Sequence, residues 1–494
     1  MDEKADIGLI GLAVMGENLA LNMADKGWRV AVHNRSLDKV DAFLRDRAHN
    51  KPIIKARSLS EMVLQLAKPR KILLMVKAGA AVDDLLDRLI PLLGPEDIVI
   101  DGGNSHFSDS ARRSLRLAEK GLLFVGAGIS GGEEGALLGP SIMPGGHEEA
   151  WPEIEPVFSS IAARAADGSV CCAWLGSSGA GHFIKMVHNG IEYADMQLIA
   201  EAFDILRRLG GLDPEAISRI FSHWNQGDLS SYLLQITADI LAKKEEGDGG
   251  MLVDSILDVA GEKGTGRWTA IAALDLGVPA GTIAEAVFAR AISARKAQRV
   301  KSHTLLPGPQ PDTTNPPDKA QQDALVQDAF DALHGAKLVA LAQGFALLQD
   351  ANRQYGWDID QAKVASIWRG GCIIRTAFLD RIASVFAERP ELDNVLIDPA
   401  FHAPMAASQT GWRRTVAKAM QSGLPVPGLA SALSWYDAYR SRCLPANLIQ
   451  AQRDYFGAHR YERNDRPRGE FFHTRWTEIG HRDPPNPSDS EEDR

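Results

Sequence analysis

The 494-residue sequence predicts an α/β N-terminal domain built on a doubly wound, mostly parallel sheet, followed by a large all-α domain and an extended C-terminal tail. Three observations carry this prediction. Over roughly the first 175 residues, short apolar runs alternate with helix-period patterns, which is how successive βα units read. After Gly181 the strand-like runs stop, and long helical patterns continue to about Cys443. From Leu444 the chain opens with a short helical pattern and then turns aromatic, basic and broken by Gly and Pro, too polar to bury a core alone. The length itself calls for more than one core. The expected domains are residues 1–178, 179–443 and 444–494, with the polar, Pro-rich residues 482–494 disordered.

In chain order, the expected strands are "ADIGLIG", "WRVAVHN", "KILLMVK", "DIVIDGG", "LLFVGAG" and "CCAWLG". Between them, "ENLALNMADKG", "LDKVDAFLRDR", "AAVDDLLDRLIPLLG" and "SDSARRSLRLAEKG" carry helical spacing. In the helical part, "LLPGPQPDTTNPPD" (305–318) is a connector. An internal repeat is also visible. Lys185 opens one helical pattern with Trp224 downstream, and Lys337 opens a second with Trp368 downstream.

A formal charge of −10 argues against general nucleic-acid binding, so any anionic ligand needs locally gathered cations. Cys171, Cys172, Cys372 and Cys443 form no C-x-x-C pair. Buried thiols in a reducing cytoplasm are expected, with neither a metal site nor disulfides. The charged start, Met1 to Asp6, gives no signal-peptide pattern, and no apolar run is long enough for a membrane span.

The first strand ends in Gly11, Leu12, Ala13, Val14, Met15 and Gly16, a G-x-A-x-x-G loop opening a helix. Gly11 permits the tight turn, Ala13 lets backbone approach a pyrophosphate, and Gly16 permits close helix–strand packing. This is the Rossmann-like dinucleotide signature. The second strand ends in Asn34, Arg35 and Ser36 where a carboxylate would mark NAD. A guanidinium and a hydroxyl suit a 2′-phosphate, so NADP is expected. Three more loops lie on the same edge: Val76, Lys77 and Ala78; Asn104 in "DGGNS"; and Ser130, Gly131 and Gly132. They suit a carboxylate or the nicotinamide ribose.

The helical pattern from Gly181 holds an anomaly. Lys185, His188, Asn189, Glu192 and Tyr193 share one face. The same offsets in the second copy hold Lys337, Ala340, Leu341, Gly344 and Phe345, an expected packing face. The repeat unit therefore does not require the polar set, and a ligand cleft beside the cofactor does. A desolvated lysine there can serve as a base and a buried carboxyl as an acid. Lys263 and Thr265 in "GEKGTGRW" can hold a phosphate. Arg290 is either a buried cation or a solvated helix end.

These residues, with "GLAVMGENLALN", "NRS", "SGGEEGA", "MPGG", "FIKMVHNGIEYADMQLI", "EAVFAR", "WRGGCIIR" and "QAQRDYFGAH", closely resemble the decarboxylating 6-phosphogluconate dehydrogenases from residue 7 to about 476. Ser36 and Ile129 replace the usual Thr and Val, and the tail after Tyr461 is longer and more charged. The resemblance implies a metal-free, NADP-dependent oxidative decarboxylation of 6-phosphogluconate. Lys185 is then the base and Glu192 the acid. Asn104, Ser130, Gly131, Gly132, His188 and Asn189 hold the carboxylate and hydroxyls. Tyr193, Lys263, Thr265, Arg290 and Arg453 hold the 6-phosphate, with His459 nearby. In this family the last two come from the second subunit of a homodimer. The alternatives are a non-decarboxylating β-hydroxyacid dehydrogenase, an NAD-preferring relative, and a non-catalytic NADP-responsive binding protein.

Overall fold

The computed structural model describes residues 4–247, 249–309 and 317–476. The predicted disordered end (482–494) and residues 310–316 of the Pro-rich connector lie outside the described residues.

Seven strands form one sheet in the order β3-β2-β1-β4-β5-β6-β7. They are β1 (Ile7–Ile10), β2 (Val30–His33), β3 (Ile53–Lys55), β4 (Lys71–Leu74), β5 (Ile98–Asp101), β6 (Leu123–Ile129) and β7 (Ile142–Gly146). All neighbours pair in parallel except β6 and β7. The strand order reverses between β1 and β4, which is where doubly wound sheets hold ligands. Apolar cores cover both faces. One is built on Leu9, Val32, Ile100 and Phe158, the other on Ile10, Leu74, Leu86 and Phe124. Burial on both faces explains why these strands read as unbroken apolar runs.

Two expectations about strands need correction. "CCAWLG" makes only isolated bridges, Cys172 with Ile142 and, just past it, Ser177 with Gly146. The edge position belongs instead to β7, antiparallel to β6, whose Pro144 and two glycines read as a turn. The short β3 was also missed; three residues give too little pattern. Among the cysteines, Cys171, Cys172 and Cys372 are buried as expected, but Cys443 is exposed.

From Ala180 to Tyr439 the regular structure is helical. Two long helices dominate, Ala180–Arg208 (the site helix) and Lys319–Tyr355 (the central helix). They pack along each other, and they carry Lys185 and Lys337, which open the two expected repeat copies. The second copy does present a packing face: Ala340, Leu341 and Phe345 are buried, and Gly344 admits Ile191 of the site helix. Lys337 departs from that simple picture. It is buried in an ion pair with Asp195 at 2.9 Å and donates to Ser231 Oγ at 3.0 Å.

The chain divides into two compact units, residues 1–433 and 434–494. The first holds the sheet and the long helices together. In the second, the helix Ala446–Gly457 precedes an antiparallel bridge between Tyr461 and Phe472. Asp454, buried, accepts hydrogen bonds from the Arg460 and Thr474 amides and the Trp476 indole, and pairs with His473 at 2.9 Å. Among the described residues no helix is long and apolar enough to cross a membrane.

Glycines set how closely the site helix approaches the sheet. A Cβ on Gly181 would strike the carbonyl oxygens of Gly126 and Met143, and one on Gly128 would strike Lys185 Cβ. Both contacts are with atoms that have little room to move. Gly181→Ala is therefore expected to destabilise by about 1–3 kcal/mol through overpacking, read as a lowered thermal midpoint. An unchanged midpoint would show that the helix can shift without cost.

Candidate active site

The face of the site helix that carries Lys185 meets the C-terminal end of β6. Lys185 is only 7% exposed although it is a lysine. Its Nζ lies 3.4 Å from His188 Nδ1. His188 is wholly buried; its Nε2 faces Ser130 Oγ at 3.2 Å and its Nδ1 faces Asn189 Oδ1 at 3.0 Å. Asn189 Nδ2 donates to Thr265 Oγ1 at 3.0 Å, and Thr269 Oγ1 donates to the Met186 carbonyl at 2.7 Å. These bonds pin the helix Thr265–Asp275 against the site helix, and Gly190 gives Thr269 room. Glu192 Oε2 lies 3.8 Å from His188 Nδ1, and its side chain keeps 22% exposure.

Burial controls the titration of all three groups. Desolvation lowers the Lys185 pKa, opposed by the charge of Glu192. Desolvation raises that of Glu192, opposed by Lys185 and Arg290 and reinforced by Asp195. Desolvation, reinforced by Lys185, holds His188 well below the ordinary imidazole range, so its ring is neutral. The cleft thus draws an amine and a carboxyl toward neutral forms a short distance apart. That is the arrangement an acid–base pair needs.

Next along the helix, Tyr193 is buried against Gly266, and the Arg290 guanidinium lies over its ring, 3.4 Å from the centroid. Arg290 is half-buried, between the two sequence readings, and donates to the Gly261 carbonyl at 3.1 Å. Lys263, just beyond, is exposed.

The sheet-edge residues behave differently. Gly11 has φ +107°, and a Cβ there would strike the Met75 carbonyl. Gly16 sits on the Gly11 carbonyl, so the first turn of the helix Val14–Asp25 closes onto the loop. Leu12 N donates to Asn34 Oδ1 at 3.2 Å, joining the ends of β1 and β2. Arg35, Ser36, Ala13, Val14, Lys77 and Asn104 are exposed, while Met15, Val76 and Ala78 are half-buried. This backbone cradle with a free-standing guanidinium beside it fits a dinucleotide bearing a 2′-phosphate. Gly131 and Gly132, with φ +115° and +65°, follow the buried Ser130. The Gly371 carbonyl packs 2.7 Å from where a Gly131 Cβ would be.

The structure therefore gathers Lys185, His188, Asn189, Glu192, Tyr193, Ser130, Thr265 and Arg290. It leaves Asn104, Gly132, Lys77, Arg35 and Lys263 exposed. Arg453 and His459 are exposed in the second compact unit, where Arg453 donates to Gln450 Oε1 at 3.0 Å. Sequence reading missed the floor of the site. Trp368 packs its ring 5.7 Å from His188, and Cys372 lies close enough to Lys185 to influence its charge. The only signal was their place in "WRGGCIIR", without a period to assign it.

A model of the NAD binding domain of 6-phosphogluconate dehydrogenase matches residues 6–176, and one of the 6-phosphogluconate dehydrogenase C-terminal domain matches residues 181–476. The chain belongs to the 6-phosphogluconate dehydrogenase family. It is 53% identical over 477 residues to the decarboxylating 6-phosphogluconate dehydrogenase of Treponema pallidum (strain Nichols), covering 96% of this chain and 98% of that one. It is 52% identical over 482 residues to decarboxylating enzyme 1 of Saccharomyces cerevisiae, covering 96% and 98%. Among solved structures it is similar to the 6-phosphogluconate dehydrogenase of Plasmodium falciparum, with TM-score 0.90, 39% identity, and coverage of 95% and 100%. That protein is described in its apo form, with its cofactor NADP+ and with its substrate 6-phosphogluconate.

The sequence reading assigns cofactor choice to Arg35, which is exposed just past the end of β2. Arg35→Glu is expected to weaken NADP by roughly 2–4 kcal/mol, about 30- to 1,000-fold, and NAD far less. Titration with each dinucleotide measures this. Equal losses for both would place Arg35 away from the 2′-phosphate.

Proposed function

We infer that this chain is a decarboxylating 6-phosphogluconate dehydrogenase, converting 6-phospho-D-gluconate and NADP to D-ribulose 5-phosphate, CO2 and NADPH. The observation that carries the inference is the placement of a desolvated Lys185 and a Glu192 whose pKa burial raises on one helix face, at the ligand edge of a dinucleotide-binding sheet. Residues 1–178 serve as the cofactor domain and 179–443 as the substrate domain.

NADP, when bound, accepts the hydride leaving C3. Lys185 as the neutral amine takes the C3 hydroxyl proton. The product is a β-keto acid, and the Lys185 ammonium then hydrogen-bonds its ketone oxygen. Loss of CO2 breaks the C1–C2 bond of the substrate and sends its electrons into that ketone, giving an enediol. Glu192, as the carboxylic acid, protonates the enediol at C1 of the product. Asn104, Ser130, Gly131, Gly132 and Asn189 hold the substrate carboxylate and hydroxyls. His188, buried and neutral, orients Ser130 and Lys185. Tyr193, Lys263, Thr265 and Arg290 receive the phosphate.

Arg453 and His459 of a second copy complete each phosphate site in a homodimer. Their tail helix exposes Leu448, Ile449, Tyr455 and Phe456 at 52–71%, an apolar surface in want of a partner. Three buried free thiols fit a reducing compartment, the cytoplasm.

Following absorbance at 340 nm with 6-phosphogluconate and NADP tests the activity directly; no NADPH formation would overturn it. Lys185→Ala and Glu192→Ala should each lower kcat by roughly 10²- to 10⁴-fold. The pH profile follows the two shifts. Lys185 loses its base form as pH falls through a pKa below the usual lysine value. Glu192 loses its acid form as pH rises through a pKa above the usual glutamate value. Activity should therefore fall on both sides of an optimum, and a mutant that changes only KM would reassign its residue to binding.

The shared site makes a separate demand. Lys185→Ala and Arg453→Ala are each expected to be nearly inactive as homodimers. In a hybrid, one site carries both lesions and the other carries neither. Refolding a mixture should restore a sizeable fraction of activity. Hybrids confirmed by mass spectrometry but no more active than their parents would exclude tail exchange.

A further inference from the structure

Arg113, on the helix Phe107–Ala118, is a fully buried arginine away from the acid–base pair. All five of its N–H groups are engaged. Nε and Nη2 form a fork on Asp83, at 3.0 and 2.9 Å. The second Nη2 hydrogen meets the Gly79 carbonyl at 3.0 Å. Nη1 donates to Asp101 Oδ2 and to Ser105 Oγ, both at 3.2 Å. With no donor left over, Arg113 has nothing to offer a ligand.

What it joins matters more. Gly79 and Asp83 open the helix Ala80–Leu89, directly after Val76, Lys77 and Ala78 at the end of β4. Asp101 ends β5, and Ser105 closes the loop that displays Asn104. Asp101 also accepts from Gly103 N at 3.1 Å and from Ser105 Oγ at 2.6 Å. Both neighbours of Asn104 are thus tied to one carboxylate, and that carboxylate is tied through a single guanidinium to the Lys77 loop. One turn earlier on the same helix, Ser110 Oγ meets His182 Nδ1 at 2.6 Å, and His182 lies one turn before Lys185. The helix therefore touches the cofactor loop, the Asn104 loop and the base of the site helix.

We propose that Arg113 is a positioning residue that fixes the cofactor loop after β4 against the Asn104 loop after β5, and so sets the alignment for hydride transfer. It acts through Asp83, Asp101 and Ser105 and touches neither ligand. A planar five-donor fork suits this task because each bond fixes a direction as well as a distance. Lysine keeps the charge but offers only three donors from one atom. The proposal rests on the dehydrogenase reading above.

Arg113→Lys tests it, with Asp83→Asn as the partner variant that loosens only the cofactor-loop side. Both are assayed with 6-phosphogluconate carrying hydrogen or deuterium at C3. Misalignment of reacting groups slows the chemical step on the order of 10- to 100-fold. The expected result is a kcat lower by that factor in Arg113→Lys and by less in Asp83→Asn. KM for both ligands should change only a few-fold, and the deuterium isotope effect on kcat should be larger than in the parent. A purely structural role would lower the thermal midpoint while leaving kcat per folded site and the isotope effect unmoved. That outcome overturns the proposal. If Arg113→Lys fails to fold, Asp83→Asn decides alone, since its carboxylate is 26% exposed and held also by Arg112. A parent chain that does not turn over 6-phosphogluconate would overturn the dehydrogenase reading itself. Parent turnover with both variants unmoved would overturn only the role of Arg113.

Discussion

Burying Lys185 disfavours its ammonium form, and much of the surrounding structure follows from how that penalty is met. An isolated buried ion loses several kcal/mol of solvation even after relaxation. The fold supplies a neutral imidazole at 3.4 Å and the partial charge of Glu192, and leaves the rest of the penalty as a lowered pKa. Close packing makes the burial possible. Gly128 and Gly181 let the helix backbone settle into the sheet edge, and Trp368 and Cys372 close the floor. A Cβ at Gly128 would push Lys185 outward toward water. The amine would then regain its hydration, its pKa would rise and it would be held as the ammonium at neutral pH, so a packing constraint on the sheet is also a chemical constraint on the lysine.

The internal repeat shows the alternative solution in the same molecule. Lys337 stands where Lys185 stands in the other copy, and both are buried. Lys337 has a carboxylate at 2.9 Å and a hydroxyl at 3.0 Å, so it works as a structural ion pair linking the two long helices. Among the described residues Lys185 has no carboxylate so near; Glu192 reaches toward His188 instead, at 3.8 Å. The two buried lysines therefore differ in state: Lys337 is clamped by a counter-ion in contact, and Lys185 is left with a lowered pKa. The Asp195 of the clamp lies one turn from Glu192 and adds to the rise of its pKa, so the structural pair also touches the neighbouring carboxyl.

The fold was legible where periodicity was strong. Apart from the three-residue β3, the strands of the parallel sheet, the Gly11–Gly16 turn and the polar stripe on the site helix all follow from spacing and residue type. The rest failed for specific reasons. Strand β7 contains Pro144 and paired glycines, so its sequence signals a turn while its partner β6 imposes a strand. "CCAWLG" has the apolar run of a strand, but beyond β7 it finds only isolated bridges. Gly126 and Gly128 look like ordinary small residues until a helix is laid across them. Arg113 sits in a helical pattern with Arg112, and nothing local says that one is wholly buried and the other half-exposed. Both arginines reach Asp83, and it is Asp101 and Ser105, at the end of another βα unit, that hold Arg113 inside.

Exposure separates the site into two populations with different physical tasks. Lys185, His188, Ser130, Thr265 and Arg113 are buried and already hydrogen-bonded or packed, so their geometry costs little when ligand arrives. Arg35, Lys77, Asn104 and Lys263 stand exposed at loop crests, where a long side chain can meet a diffusing anion. A chain of net charge −10 repels phosphorylated sugars on average, so cations must be concentrated where the phosphate is to bind. Arg290 shows how that is done without burying a bare charge. Its guanidinium rests on the Tyr193 ring and the Gly261 carbonyl, keeping a preset direction while remaining half open to water.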